Sequence, residues 1–385
     1  MRNHKLRRWS RLSGGASRWA ALACVLSIAT VPYTATGSRV GASVRWVVVP
    51  HPDPANTFSE LKSIACPNVD MCVAVGDSTA ASATPVIPVV DDTLAKEWDG
   101  HTWSFLPSPN QPGDSSSDLH SVACASATSC FAVGHGEHTH GGIRYMDALT
   151  EHWNGQQRVV VAAPPAPLGD YFWYAVSCPG LVSCFAVGYN ESRALTAHWN
   201  GTYWKYQTNP YQRGTTTLLD GITCTDVNHC MAVGIGPGEK SLVEHLDGHR
   251  WSAMLALIQG QIASGACPSA DFCNFVGYHA GPFAEKTYLG KWSPINIRPY
   301  GRSDGMFTSE RCFTTKNCIA IGWEERTDTE DAVIYRWDGK AWNFSTQPVH
   351  GDSSLDSLTC PTSSTCYAVG TIGNNSLILE GTGTL

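Results

Sequence analysis

Short apolar runs separated by polar turns recur along the whole chain and predict β-strands. In each recurrence, one run such as LKSIAC (61–66) ends in a cysteine, and the next, such as CFAVG (184–188), begins at another. A third run ends in a W-D/N-G turn, and a fourth opens with a tryptophan, as from Trp98 to Trp103. Runs of this length bounded by Gly, Asn and Asp are typical of antiparallel strands. The pattern predicts four strands per repeat.

The cysteine pair recurs seven times with five residues between its members, from Cys66 to Cys360, at a mean interval of 49 residues. Periods of this size belong to propellers and solenoids. The chain ends before the last copy can form a fourth strand, whereas an orphan fourth strand, 46–50, precedes the first copy. We therefore expect an all-β, seven-bladed β-propeller with four antiparallel strands per blade. The N-terminal strand would close the ring and remove its open edges.

A small residue stands three positions before the first cysteine of every copy, which predicts seven inner strands converging on a narrow central channel. These residues are Ser63, Ser121, Ala175, Gly221, Ser264, Ser309 and Ser357.

The first 42 residues predict a signal peptide, with cleavage near residue 35. Several Lys and Arg residues precede an apolar run, 19–31, that is too short to span a bilayer comfortably. Residues 43–385 then form one propeller domain, which we expect to be monomeric, secreted and extracellular, with no membrane span.

Fourteen cysteines remain after Cys24, which lies inside the predicted signal peptide, and all fourteen fall in the seven pairs. An even number at constant spacing in an exported chain predicts disulfides, because zinc ribbons and thioredoxin-like sites use C-x2-C instead. One bridge per blade is expected: Cys66–Cys72, Cys124–Cys130, Cys178–Cys184, Cys224–Cys230, Cys267–Cys273, Cys312–Cys318 and Cys360–Cys366.

The charge balance argues against nucleic acid as a partner. Residues 1–42 hold seven Lys and Arg and no acidic residue, so the remaining chain has 19 basic and 33 acidic residues, a net charge of −14. Nucleic acids and anionic membranes are bound by basic patches.

The W-D-G-x-T-W stretch from Trp98 to Trp103 resembles the Asp-box turn of sialidase-like and BNR-repeat propellers. The whole chain also resembles secreted repeat proteins of actinobacteria. The Asp-box resemblance implies the propeller fold, with the turn between the third and fourth strands of a blade. It does not imply sialidase activity, because the FRIP-like motif of sialidases is missing.

Variable loops between strands two and three, longest in blades one and two, indicate a binding surface on the rim opposite the disulfides. The stretch DYFWYAV (170–176) and the loop of blade two provide candidate ligand-binding residues. They are His120, Tyr171, Trp173, Tyr174, Arg144 and Tyr145. Packing between blades is the alternative for the aromatic residues, and plain solvation is the alternative for the arginine.

The loop of blade two also carries a candidate metal site. Imidazole and carboxylate side chains suit zinc or copper, and His135, Glu137, His138 and His140 provide them. A solvated histidine-rich loop is the alternative. No cofactor is expected apart from such a divalent metal.

These features favour a propeller that binds an extracellular ligand, with a glycan as the expected partner. A glycan-acting hydrolase or lyase at the channel mouth is one alternative, and a structural or protein-interaction propeller is another. Hydrolysis requires two neighbouring carboxylates. The candidates are Glu60, Asp118, Asp170, Asp220, Asp304, Asp352 and Asp356, and the sequence selects no pair among them.

Overall fold

A computed structural model of the protein describes residues 44–80, 91–164, 170–190, 193–210, 216–248, 250–269, 271–288, 290–298, 304–326 and 329–383. The predicted signal peptide, over residues 1–42, lies outside the described residues. Residues 41–385 belong to one compact unit.

Strands make up nearly all of the regular structure, and a 3-10 turn occupies Pro237–Glu239. Within the described residues the strands, in chain order, are β1 (Arg45–Val48), β2 (Thr57–Asn68), β3 (Met71–Ala80), β4 (Asp91–Trp98), β5 (Trp103–Phe105), β6 (Ser116–Ser126), β7 (Ser129–His140), β8 (Ile143–Trp153), β9 (Arg158–Val160), β10 (Tyr171–Gly180), β11 (Ser183–Asn190), β12 (Arg193–Trp199), β13 (Trp204–Tyr206), β14 (Leu218–Asp226), β15 (His229–Gly236), β16 (Lys240–Asp247), β17 (Trp251–Gln259), β18 (Gln261–Ser269), β19 (Phe272–Tyr278), β20 (Pro282–Tyr288), β21 (Lys291–Pro294), β22 (Asn296–Arg298), β23 (Gly305–Thr314), β24 (Asn317–Arg326), β25 (Thr329–Trp337), β26 (Ala341–Thr346), β27 (Ser353–Thr362), β28 (Thr365–Ile372) and β29 (Asn375–Thr382).

The strands form seven sheets, each an antiparallel meander of four strands, and this confirms the predicted seven-bladed propeller. Blades one to five follow the chain from β2 to β21 in groups of four. Blade six holds β23 to β26, with the short β22 added parallel to β26. Blade seven holds β27 to β29 and is completed by β1, which pairs antiparallel with β29. The N-terminal strand thus closes the ring.

Each blade carries one disulfide across the hairpin that joins its first two strands. The seven predicted pairs are all present, with Cα–Cα distances of 4.0 to 4.1 Å. In blade one the third strand is tied to the same hairpin, because Trp98 Nε1 donates to the Val69 carbonyl oxygen at 3.2 Å. The W-D-G turn that follows is held by Asp99 Oδ1, which accepts a bond from the Thr102 amide at 2.7 Å. Gly100 there has φ +90°, a value that favours glycine.

The small residues of the inner strands bond neighbouring blades to one another. Ser63 Oγ accepts a hydrogen bond from the Val122 amide of the next blade at 3.0 Å. The equivalent serines in blades two, five, six and seven do the same, and Ser357 reaches Ile64 across the ring closure. In blade three, which has Ala175 at this position, Ser177 takes over the bond. The serines therefore set the register between blades.

The hydrophobic core lies between adjacent blades. Val75 of blade one packs in the same buried cluster as Leu119 of blade two. Leu61 of blade one and Tyr367 of blade seven share the cluster that closes the ring. Each blade therefore buries its apolar faces only when its neighbours are in place.

A β-bulge interrupts the first strand of every blade at the same position. In blade two, Leu119 pairs with Gly134 and Ser121 with Val133, which leaves His120 unpaired between them. The other six blades show the same register shift. A bulge bends its strand and redirects the extra side chain.

The glycine that ends each AVG-like run makes room for this bulge. A Cβ on Gly134 would overlap the carbonyl oxygen of Asp118, and the equivalent glycines of all the other blades meet an equivalent carbonyl oxygen. Glycine is required here by close backbone approach rather than by a left-handed backbone.

Candidate functional site

The seven bulge residues face the centre of the propeller and line one cavity of about 240 Å³. We call them the bulge ring. They are Lys62, His120, Tyr174, Asp220, Ala263, Thr308 and Asp356. The backbone repeats sevenfold, but the ring contains one lysine, one imidazole, one phenol and two carboxylates. A symmetrical scaffold thus carries an asymmetric site. The channel mouth, as defined here, is the bulge ring together with Asp77, Asp118, Phe172, His135 and Tyr189 beside it.

Lys62 holds two carboxylates at the side of the mouth formed by blades one and two. Its Nζ lies 2.7 Å from Asp77 Oδ1 and 3.0 Å from Asp118 Oδ2. Burial opposes the charge on Lys62, but the attraction of Asp118, Asp77 and Glu60 outweighs it and raises the pKa of the ammonium. Burial raises the pKa of Asp77 to about 6. Burial acts in the same direction on Asp118, but His120, Lys62 and His135 together hold its pKa well below the usual range.

Two histidines converge on the other oxygen of Asp118. His135 Nδ1 lies 2.9 Å from Asp118 Oδ1, and His120 Nε2 lies 3.3 Å from the same atom. The two imidazoles stack with their centroids 5.3 Å apart. Burial lowers the pKa of His120 to about 3 and outweighs the attraction of the Asp118 charge, which acts in the opposite direction.

An aromatic row continues from the histidines into blade three. Tyr174 stacks on His120 at 4.7 Å and on Tyr189 at 5.2 Å, and the two tyrosine hydroxyls lie 3.3 Å apart. Phe172 meets His135 edge-on at 4.9 Å. Burial, the Tyr189 hydroxyl and the nearby Asp220 charge raise the pKa of Tyr174.

Asp220 of blade four stands at the end of this row. Its Oδ2 accepts a hydrogen bond from Gln261 Nε2 at 2.8 Å. Burial raises the pKa of Asp220 to about 6. Deeper in the cavity, burial also raises the pKa of Glu310, whose carboxylate oxygens have no side-chain partner among the described residues. Among the described residues that line the cavity, Lys62 is the only Lys or Arg, and it is already paired. This part of the channel therefore favours a positively charged ligand.

The structure separates the predicted ligand-binding residues into three groups. His120 and Tyr174 lie in the bulge ring. Tyr171 and Trp173 are 6% and 0% exposed and pack in the core between blades two and three. Arg144 and Tyr145 lie on the β7–β8 hairpin, where Arg144 forms an ion pair with Glu137.

The residues of the predicted metal site are divided between two places. His135 faces Asp118 and His120 in the channel mouth. His138 stacks on Tyr145 at 5.5 Å, and its Nδ1 lies 3.3 Å from Asp147 Oδ2. His140 is exposed next to the hairpin turn, opposite Ile143. Glu137 is engaged by Arg144.

Lys62, Asp77 and Tyr189 belong to the mouth, but sequence reasoning did not select them. Asp77, His135 and Tyr189 each follow the glycine of the AVG-like run in their blade. This shared position after the glycine is the sequence signal for Asp77 and Tyr189, whereas Lys62 occupies the bulge position itself.

No protein-family model and no curated protein matches the chain. Solved structures do match over most of its length. The structure described as YCF48 bound to D1 peptide has a TM-score of 0.59 and 12% identity, and covers 91% of this chain and 100% of that one. YCF48 from Cyanidioschyzon merolae has a TM-score of 0.55 and 14% identity, over 87% of this chain and 98% of that one.

The WD40 propeller domain of Doa1 has a TM-score of 0.58 and 9% identity, over 88% of this chain and 97% of that one. At such identities the similarity concerns the fold alone. It supports a propeller, and the finer resemblance to sialidase-like Asp-box propellers gains no support from these structures.

The seven disulfides indicate that the protein folds in an oxidising compartment. Among the described residues, no helix has the length and apolar character needed to cross a membrane.

Proposed function

We propose that the protein is a secreted protein-interaction propeller that binds a peptide segment of its partner at the channel mouth. Asp220 would receive a basic side chain of that peptide. The observation that carries this proposal is the bulge ring, which places a single asymmetric set of polar and aromatic side chains around one cavity.

The surroundings of Asp220 suit a guanidinium or ammonium group. The carboxylate provides the opposite charge, and the hydroxyl oxygens of Tyr174 and Tyr189 near it can accept hydrogen bonds from such a group. A cation near Asp220 favours its charged form, which offsets the desolvation that raises the pKa of this carboxyl. Ligand binding would thus compensate for the unfavourable burial of the Asp220 carboxylate in the free protein.

The comparisons support a peptide ligand more than a glycan. One of the matching propellers is a complex with a peptide, by its printed description. The seven disulfides support a place of action outside the reducing cytosol.

A glycan-acting enzyme is the second candidate, because two carboxylates do approach one another at the mouth. Asp77 and Asp118 both contact Lys62 Nζ, and Asp118 lies beside His120, which stacks on Tyr174. The two carboxyl groups have their pKa values displaced in opposite directions, as an acid and a charged base require. Lys62 already forms an ion pair with each of them, which favours a structural role for this trio.

A peptide selection on mature protein, residues 43–385, tests the proposal. Display of random peptides should enrich sequences that contain Arg or Lys, and replacing that residue by citrulline or norleucine should weaken binding at least tenfold. The Asp220→Asn variant should weaken binding of the selected peptides to a similar degree. The matched control is Asp271→Asn, which changes an exposed carboxylate on the disulfide hairpin of blade five and should leave binding unchanged.

Enrichment of acidic or purely apolar peptides would contradict the proposal. So would a glycan array and hydrolysis screen in which glycans are bound or cleaved while no peptide is retained. That result would favour the second candidate instead.

A further inference from the structure

Three side chains in the channel mouth direct one ligand atom each at a common point. The atoms are Asp118 Oδ1, His120 Nε2 and His135 Nδ1, and all lie within 4.8 Å of one another. The first two side chains come from β6, separated by one residue, and the third comes from the facing strand β7. The β-bulge makes His120 the unpaired residue between Leu119 and Ser121, next to the position where Asp118 pairs with His135.

These three atoms share a second property. Each is buried, and apart from the contacts among these three side chains none of the atoms has a hydrogen-bond partner among the described residues. Buried polar atoms are nearly always satisfied in folded proteins, so an unsatisfied group calls for an explanation. Three such atoms that converge on one point are explained together if a single ion binds all of them.

We infer that Asp118, His120 and His135 bind a divalent cation of the zinc class. Two imidazoles and one carboxylate are the donors that Zn²⁺ and neighbouring transition metals accept, whereas Mg²⁺ and Ca²⁺ favour all-oxygen sites. Ligand atoms held 2.0 to 2.2 Å from a tetrahedral ion are about 3.3 Å apart. Asp118 Oδ1 lies at this spacing, 3.3 Å, from His120 Nε2 and somewhat closer, 2.9 Å, to His135 Nδ1, and all three atoms lie within 4.8 Å of one another.

Neighbouring side chains hold the three ligands in place. Lys62 Nζ donates to Asp118 Oδ2 at 3.0 Å, so the carboxylate turns its other oxygen to the histidines. Tyr174 stacks on His120, and Phe172 packs edge-on against His135. Fixed ligand orientation of this kind strengthens metal binding.

Three protein ligands leave a fourth position of a tetrahedral ion open. His120 lines the cavity, so this position is accessible from the channel. Sites with an open position bind water or a donor atom of a ligand, in contrast to closed structural sites with four protein ligands. The inference does not depend on peptide binding, because the metal alone can be tested.

The test uses chelator-treated mature protein and titrates it with Zn²⁺ in a calorimeter and with Co²⁺ in a spectrophotometer. We expect one equivalent of either ion and visible absorption bands from bound cobalt. His135→Asn should weaken Zn²⁺ binding roughly 100-fold or more and abolish the cobalt bands. The matched control is His138→Asn, which changes a histidine of the same strand that faces Asp147 and should leave both readouts unchanged.

A parent protein that binds neither ion would overturn the inference, and the three side chains would then interact only with one another. Loss of binding in His138→Asn with retention in His135→Asn would also overturn it, since the metal would then belong to the hairpin. If near-ultraviolet circular dichroism shows that His135→Asn does not fold, Asp118→Asn and His120→Asn take its place with the same expected losses.

Discussion

At the scale of single residues, the glycine at the end of each AVG-like run connects the repeat to the site. It allows a carbonyl oxygen of the first strand to approach the second strand, and this approach accompanies the bulge. The bulge then directs one side chain per blade into the channel. A glycine without a reactive side chain thus determines which side chains of its blade face the channel.

Replacing one of these glycines with alanine is expected to lower the free energy of unfolding substantially. In Gly188→Ala the new methyl group would overlap the backbone carbonyl of Phe172, and both backbone segments are paired in the β10–β11 ladder. We expect a loss in the free energy of unfolding on the order of 3 kcal/mol or more, measured by urea denaturation. Gly180→Ala in the same blade is the control, because its nearest neighbour is Val227 Cγ1 at 3.6 Å. Equal stability of the two variants would contradict this account of the bulge.

Replacing Asp220 is expected to raise the free energy of unfolding, by an amount that depends on pH. Its pKa is about 6 in the folded protein and about 4 in an unfolded chain, so folding favours the protonated form. The carboxylate therefore lowers stability as pH rises from about 4 through 6. Asp220→Asn should be more stable than the parent by roughly 3 kcal/mol at pH 8 and nearly equal to it at pH 4. Denaturation curves at both pH values decide this, and a stability difference that does not change with pH would show that the desolvation argument is wrong.

Sequence analysis selected Tyr174 because it breaks the repeat pattern, and His120 because it starts the inner strand next to the histidine-rich loop of blade two. It left out Lys62, Asp77 and Tyr189, because simple alternation along a strand assigns side chains to faces without allowing for a bulge. The bulge shifts the register by one residue and changes which side chains face the channel. The distances among these side chains depend on how three blades pack together. They cannot be deduced from the spacing of the residues along the chain.

At the scale of secondary-structure elements, the N-terminal segment does more than complete a sheet. β1 pairs with β29, and the Val49 amide continues the ladder to the Ile378 carbonyl at 2.9 Å. Asp53, a few residues later, lies 2.6 Å from Lys96 Nζ and accepts a bond from Ser376 Oγ at 2.6 Å. The lysine side chain is fully buried, at 0% exposure. The closing segment thus supplies the counter-charge for a cation in blade one.

The contribution of this ion pair to stability can be tested with a single and a double variant. In Asp53→Asn the buried ammonium of Lys96 would lose its counter-ion, which costs about 3–5 kcal/mol when one partner of a buried pair is removed. Adding Lys96→Met should restore most of the loss, because an apolar chain of similar length needs no partner. Thermal and urea unfolding of the three proteins would test this. If the double variant is no more stable than Asp53→Asn, the damage comes from the closing segment itself.

The elements themselves were largely predictable from the sequence. Cysteine pairs in every blade, and W-D/N-G turns in blades one, two, three and six, mark the ends of strands, so the four strands, the disulfides and the closing strand could all be predicted. The short β22 carries no such marker, and its parallel pairing with β26 arises only when blades five and six meet. The buried Lys96 of a third strand was also not predicted, because its partner Asp53 comes from a distant segment.

At the scale of the whole molecule, the residues that stabilise the propeller differ from those that would recognise a ligand. Serine hydroxyls, shared apolar clusters and disulfides repeat around the ring and hold it. The channel mouth does not repeat, so its side chains can differ without loss of the scaffold. A net charge of −14 on residues 43–385 also attracts cationic ligands at long range, in agreement with the carboxylates of the channel.

The affinity of one selected arginine peptide, measured by calorimetry from pH 5 to pH 8, tests the central claim most directly. Asp220 is protonated below its pKa of about 6 and charged above it. Affinity of the parent protein for the cationic side chain should therefore rise through pH 6 and then level off. In Asp220→Asn the affinity should be weak, and the rise should be much reduced. An affinity that is constant or falls over this range in the parent would contradict recognition of a cation by the channel mouth.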